Sequence, residues 1–212
     1  RYRSSAASDV YKRQILSLSP DQSILLLMPA SRPQEMKYIL PTFMMVARKL
    51  QQKYPNLVVY ILSCRKVFDE RFKKALRKYQ VKGQVISQKD NARLKPYIYS
   101  LTKIALCKSG TVNMELALYG IPQLVGYRVS RVTAFIAKKI LNFKVRFISP
   151  VNLLVNKLII PEFVQGDFDE KKIFYKSSRI LEGKSEKIKI KKGYALLKLS
   201  LIHISEPTRR YE

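Results

Sequence analysis

Tryptophan is absent from this 212-residue sequence, histidine occurs once, cysteine twice and glycine only seven times. One histidine and two separated cysteines, Cys64 and Cys107, give no zinc-ligand set and no disulfide framework. Unpaired thiols are read most simply as belonging to a reducing compartment. No apolar run approaches the roughly 18 residues of a membrane-spanning helix. The first apolar cluster also follows a long polar stretch of mixed charge, unlike a secretory signal. Glycine-rich phosphate loops are missing, because neither G-x-x-x-x-G-K-[ST] nor G-x-G-x-x-G occurs. Acidic residues are scarce as well: 15 Asp+Glu face 41 Lys+Arg, a formal charge of +26. What is plentiful is apolar material, at 47%, which argues against disorder and supplies a core for one sizeable domain or two small ones.

The two ends read as foreign to the rest. Asp9–Gln14 can be encoded GAT GTG TAT AAG AGA CAG, whose reverse complement, CTG TCT CTT ATA CAC ATC, encodes Leu199–Ile204. Ser4–Gln14 and Leu199–Arg209 resemble translated adapters of a transposase-based sequencing library. The expectation is that 1–14 and 199–212 are adapter-derived tails and that the chain is a fragment. Without them 35 basic and 12 acidic residues remain, a charge of +23, and His203 is lost. Neither a histidine general base nor a histidine metal ligand then has a candidate.

Between Ile24 and Leu181 short apolar runs alternate with longer amphipathic ones, the pattern of βαβ units and a parallel sheet. Strands are expected at Ile24–Met28, Leu57–Leu62, Gln84–Ser87, Ile104–Cys107 and Gln123–Gly126. Helices are expected at Gln34–Lys53, kinked by Pro41, and at Val67–Tyr79, Ala92–Leu101, Ser109–Tyr119, Arg131–Ile140 and Asp169–Leu181. Val145–Gln165 reads as irregular and apolar, broken by Pro150 and Pro161. The alternation within Lys187–Lys192 is ambiguous. No linker divides the body, so residues 15–182 are expected to form one domain followed by a Lys-rich segment, 183–198.

In an open parallel sheet, ligands bind beyond the carboxyl ends of the strands. Two turns there carry suitable chemistry. Pro29-Ala-Ser-Arg32 places Ser31 and Arg32 at a helix start, and Lys108-Ser-Gly-Thr111 repeats the device with Ser109, Gly110 and Thr111. Either turn alone is an ordinary helix cap, whereas the two together suggest a diphosphate site. Glu115 follows Thr111 by one helical turn, on a face where a carboxylate can accept hydrogen bonds from a ribose or simply be solvated. Tyr127 and Arg128 follow a strand and offer a stacking ring and a second cation. Asn152 and Asn156 lie in an apolar stretch where unpaired amides would be costly. Lys66–Lys82 is basic with Phe68, Phe72 and Tyr79 interleaved, which suggests RNA, but the rings fall at helical spacing and so fit a core better.

Three segments, Leu25–Tyr38 (LLLMPASRPQEMKY), Lys108–Arg128 (KSGTVNMELALYGIPQLVGYR) and Ser149–Gln165 (SPVNLLVNKLIIPEFVQ), in this order and spacing, resemble the lipid-A-disaccharide synthase family. The SPVN form is most similar to its cyanobacterial and plastid-lineage branch. Ala30, where glycine is common, and Pro150-Val151, in place of a more usual Leu-Pro, depart from the bacterial pattern. The resemblance implies an α/β, Rossmann-like parallel sheet flanked by helices, the C-terminal, donor-binding half of a GT-B glycosyltransferase. It implies inverting transfer of 2,3-diacylglucosamine from UDP to the 6-hydroxyl of 2,3-diacylglucosamine 1-phosphate, with no metal or other cofactor. Carried over, Arg32 and Asn152 are the catalytic candidates. The donor site is Ser31, Arg32, Ser109, Gly110, Thr111, Glu115, Tyr127, Arg128, Asn152, Glu162 and Gln165. The implied partners are UDP-2,3-diacylglucosamine, a lipid-linked acceptor, the absent N-terminal half that supplies acceptor binding and the general base, and a second copy in a homodimer. The implied location is peripheral on the cytoplasmic face of a membrane, or within an organelle for an algal source. The alternatives are another UDP-sugar-dependent lipid glycosyltransferase and a basic nucleic-acid-binding module, with nucleic acid the disfavoured partner. The charge itself fits either attraction to an anionic membrane or a merely Lys-enriched, solvated surface.

Overall fold

The computed structural model describes residues 6–130 and 146–205. Among the described residues six strands form one sheet: β1 (Ser23–Met28), β2 (Leu57–Leu62), β3 (Gly83–Ile86), β4 (Thr102–Lys108), β5 (Gln123–Tyr127) and β6 (Glu162–Val164). Their order is β3-β2-β1-β4-β5-β6 and every pairing is parallel. The central strands read as near-continuous aliphatic runs because both faces are covered. Ile24–Leu27 in β1 and Ile104–Cys107 in β4 have no exposed surface.

The covering helices are α1 (Ala6–Ile15), α2 (Pro33–Tyr38), α3 (Leu40–Lys53), α4 (Asp69–Lys78), α5 (Gln88–Leu101), α6 (Val112–Leu118), α7 (Pro150–Val155), α8 (Glu170–Glu182) and α9 (Lys184–Ser205). The stripe expected over Gln34–Lys53 is buried as foreseen, through Met36, Ile39, Phe43, Val46 and Leu50. The helix is not continuous, however, and is divided at Ile39 rather than bent at Pro41. Pro41 has no N–H to donate and its ring crowds the preceding turn, so the chain starts a new helix with proline in its first turn. Phe43 meets Phe168 edge-on, with centroids 5.4 Å apart, and α3 packs along α8. Phe68 and Phe72 are buried and Tyr79 is half-buried against the core, so the rings of the basic run pack inward.

Other elements also differ from the sequence expectation. Helix α5 begins at Gln88, four residues early, where Ser87 and Asp90 hydrogen-bond to one another. The stretch read as irregular contains α7 and β6. The ambiguous lysine-rich segment lies within α9, because Ile190, Tyr194 and Leu197 recur at helical spacing and are buried. The Tyr194 hydroxyl donates to the Ile121 carbonyl at 2.8 Å and accepts from Gln123 Nε2 at 3.1 Å, which fixes α9 to the start of β5. The helix expected at Arg131–Ile140 lies outside the described residues. Among those that are described, no helix is long and apolar enough to cross a membrane.

Candidate functional site

Strand β1 is the point where the sheet reverses its winding: β2 and β3 extend from one side of it, β4, β5 and β6 from the other. The loops leaving β1 and β4 therefore diverge, and a crevice opens between them. Met28 and Cys107 stand side by side in the register, so Pro29–Arg32 and Lys108–Thr111 form its two walls. A cavity of about 180 Å³ lies here, lined by residues including Ala30, Ser31, Cys64, Lys108, Gly110 and Thr111. Burial pushes the Cys64 thiol up from its ordinary range.

The first wall is organised by a residue that the sequence reading passed over. Glu35 Oε2 accepts the Ser31 N–H at 2.6 Å, the Arg32 N–H at 3.0 Å and the Ser31 hydroxyl at 3.2 Å. Its position three residues after the helix-capping Arg32 is the spacing of a reciprocal cap and was the available signal. Arg32 is exposed and makes no ion pair among the described residues. Glu35 Oε1 faces the Lys108 ammonium of the second wall at 3.3 Å.

In the second wall the Gly110 N–H donates to Asn113 Oδ1 at 2.8 Å. The buried Asn113 amide in turn donates to Gln123 Oε1 at 3.1 Å and to the Lys108 carbonyl at 3.2 Å. Thr111 is exposed, and Ser109 donates to the Ile148 carbonyl at 2.5 Å. Glu115 is half-buried on α6 and pairs with Lys95 of α5 at 2.7 Å. Lys95 and Asn113 were not singled out from sequence, and Lys108 was named there only as the first residue of its turn.

The third segment is drawn in by Glu162, whose carboxylate accepts the Ile148 N–H at 2.7 Å and the Ser149 N–H at 2.9 Å. Asn152 is fully buried. Its Nδ2 donates to Glu162 Oε1 and the Ile160 carbonyl at 2.7 and 2.8 Å, while Oδ1 accepts the N–H groups of Ile159 and Ile160 at 2.8 and 3.0 Å. The Asn152 amide thus holds its own segment and does not reach the crevice in this structure. Tyr127 ends β5 and Arg128 follows it, both exposed. Gln165, in the left-handed region at φ 50°, accepts the Val129 N–H at 3.3 Å, while its buried Nε2 has no partner among the described residues. Ser31, Arg32, Ser109, Gly110 and Thr111 are accordingly gathered at the switch point. Tyr127, Arg128 and Gln165 lie at the adjoining sheet edge, and Glu162 and Asn152 stand behind Ser109. Among the described residues no three His, Cys, Asp or Glu side chains come together as a metal site.

Comparison with known proteins matches residues 3–208 to the family model for lipid-A-disaccharide synthetase. The lipid-A-disaccharide synthase of Prochlorococcus marinus (strain MIT 9313) is 41% identical over 189 residues, covering 89% of this chain and 48% of that protein. The chain thus spans about half the length of the curated relatives it matches. Among solved structures, the UDP-GlcNAc 2-epimerase of Neisseria meningitidis superposes with a TM-score of 0.55 at 14% identity, over 93% of this chain and 49% of that one. The E. coli ADP-heptose heptosyltransferase II gives 0.53 at 10% identity, over 84% and 52%. These likenesses identify the sheet as a GT-B-type, Rossmann-like fold. Taken with the family model and the identity to the cyanobacterial enzyme, they establish that the chain belongs to the lipid-A-disaccharide synthase family.

Proposed function

We propose that the chain is the donor-binding half of a lipid-A-disaccharide synthase, and that the crevice between β1 and β4 takes the diphosphate of UDP-2,3-diacylglucosamine. The observation that carries this is the meeting of all three characteristic segments at one place. Glu35 and Lys108 join the first segment to the second, and Ser109 and Glu162 join the second to the third. That the Neisseria epimerase was solved with UDP-GlcNAc bound supports the ligand class.

In this reading Arg32 approaches the diphosphate, with Ser31 and the Ser109–Thr111 turn around it. Glu115 holds the ribose, Tyr127 and Arg128 flank the nucleotide, and Gln165 offers its unpartnered amide donor. Glu162 and Asn152 set the position of the wall behind Ser109. Fixed donors that stabilise the leaving UDP as negative charge develops are the catalytic contribution of this half. The acceptor, 2,3-diacylglucosamine 1-phosphate, and the general base belong to the other half of the protein, and no metal or other cofactor is required. The protein would work peripherally on the cytoplasmic face of a membrane, as a homodimer, with its basic surface attracted to anionic lipid. A nucleic-acid role loses its stacking rings, since Phe68 and Phe72 are buried.

The test is calorimetric titration of the chain with UDP and UDP-N-acetylglucosamine. Binding that is weakened by Arg32→Ala and by Glu115→Ala supports the reading. No binding by the unmutated chain refutes it. Supplying the other half and comparing acceptors separates this enzyme from another UDP-sugar-dependent lipid glycosyltransferase.

A further inference from the structure

The side chain of Lys108 is only 19% exposed, and its carboxylate partner Glu35 only 13%. An ammonium so far removed from water ordinarily secures short, charge-assisted contacts of roughly 2.7–2.9 Å. Even the more exposed pairs Lys172–Asp167, Lys95–Glu115 and Lys49–Glu170 close to 2.6, 2.7 and 2.8 Å. Lys108 does not: its two polar contacts among the described residues, Glu35 Oε1 and the Ser109 carbonyl, are both at 3.3 Å. An ammonium carries three N–H donors, so these two long contacts leave donor capacity over.

The position of this group is as particular as its loose partnering. Nζ lies 3.2 Å from where a β-carbon on Gly110 would stand, so the missing side chain there leaves it room to fold back over its own turn. Glu35 cannot follow it, because its other oxygen is held by the Ser31 and Arg32 backbone of the opposite wall. The ammonium is thereby kept between the two walls of the crevice and lines the cavity there.

We infer that Lys108 is itself a donor-binding residue, whose ammonium takes a phosphate oxygen of the nucleotide diphosphate, with Glu35 as the positioning residue that keeps it between the two turns. The inference rests on the UDP-sugar reading of the crevice and adds to it a cation that sequence reasoning did not assign. Arg32 is exposed at the rim, whereas Lys108 is largely enclosed. A charge-assisted contact in a partly desolvated site discriminates strongly for phosphate over a neutral ligand.

The experiment compares UDP with uridine, which lacks the phosphates, on the 212-residue chain and on Lys108→Met, with thermal melting of both proteins. Titration calorimetry follows UDP, and saturation-transfer NMR follows uridine. The expected result is a roughly ten- to hundredfold loss of UDP affinity, with uridine binding changed less than about twofold. Equal UDP affinity in the two proteins overturns the inference while leaving the UDP-sugar reading intact. Equal losses for UDP and uridine overturn it too, by showing a purely structural role. Failure of the unmutated chain to bind UDP overturns both. Lys108→Gln, which keeps a polar end and removes the charge, serves in the same comparison if the methionine variant does not fold.

Discussion

The Asn152 amide donates to Glu162 Oε1 at 2.7 Å, and both side chains serve the same few residues of backbone. Asn152 closes Ile159 and Ile160 onto α7, and Glu162 closes Ile148 and Ser149 onto β6. Replacing Asn152 with alanine leaves two buried N–H groups and one carbonyl without partners. Such groups cost about 1–3 kcal/mol each when stranded, less where water enters, so a net loss of roughly 2–4 kcal/mol is expected. A urea-denaturation midpoint within error of the unmutated chain would contradict this account of Asn152.

Glu115 gives a prediction about the ligand rather than the fold. Its ion pair with Lys95 is partly exposed, 36% and 31% for the two side chains, so it contributes little to stability. Glu115→Gln should therefore melt within a few degrees of the unmutated chain while weakening UDP binding by about tenfold. With a UDP analogue lacking the ribose hydroxyls the variant and the unmutated chain should bind alike. A loss that persists with the analogue would place the carboxylate elsewhere.

Burial pushes the Cys107 thiol up from an ordinary 9.0 to about 12. Tyr99 and Tyr194 are raised in the same direction, again chiefly by burial. For Cys107 the unfolded chain gives up its proton near 9 while the folded chain keeps it to about 12, so in that window the folded state binds more protons. Stability is then fully present below pH 9 and falls as pH rises, by about 1.4 kcal/mol per pH unit for each group in its window. Urea midpoints should hold level to about pH 9 and decline from there to about pH 11, and Cys107→Ala should flatten that slope. An unchanged slope in that variant would refute the assignment to Cys107.

At Gly126, in β5, a β-carbon would collide with the ring of Phe168 and come within 2.7 Å of Phe43. Those rings form the edge-on contact between α3 and the segment entering α8. Gly126→Ala should cost about 1–3 kcal/mol, the usual range for overpacking a well-filled core. It should also broaden the Phe43 and Phe168 ring resonances in NMR spectra. Neither change would be seen if the rings could simply part.

Much of the frame was legible because buried parallel strands are written as aliphatic runs and their turns as small or polar clusters. LLLM, LVVYIL and IALC announced the central strands, and α6 stops at Leu118, next to the expected Tyr119 and just before Gly120 at φ 72°. The strand order was not legible, since no local pattern states which strand lies beside which. The start of α5 was hidden by a polar first turn, Gln88–Asn91, that carries no apolar period. Helix α7 had a real signal in Ser149-Pro150, with the Ser149 hydroxyl accepting the Asn152 N–H, but its exposed Leu153 and Leu154 blurred the amphipathic face. Strand β6, three residues long, is too short to show alternation. At the candidate site, the two turns that wall the crevice could be read from residue type and position. Their internal fastenings could not, because Glu35 meets Lys108, and Ser109 meets Ile148, only once the sheet has assembled.

The same crossover that opens the crevice also sets the order of assembly. β1 can pair with β2 early, yet its other edge waits for β4, as the register Leu25↔Ile104 records. β5 in turn waits for β6, and Tyr194 of α9, which fastens onto Gln123 of β5, follows it by 71 residues. On a ribosome the nascent sheet would present the apolar edge of β1 until most of the strands had been made. Pairing so distant in sequence folds slowly. Production in cells should therefore respond more strongly to chaperone supply and translation speed than the stability of the finished domain would suggest.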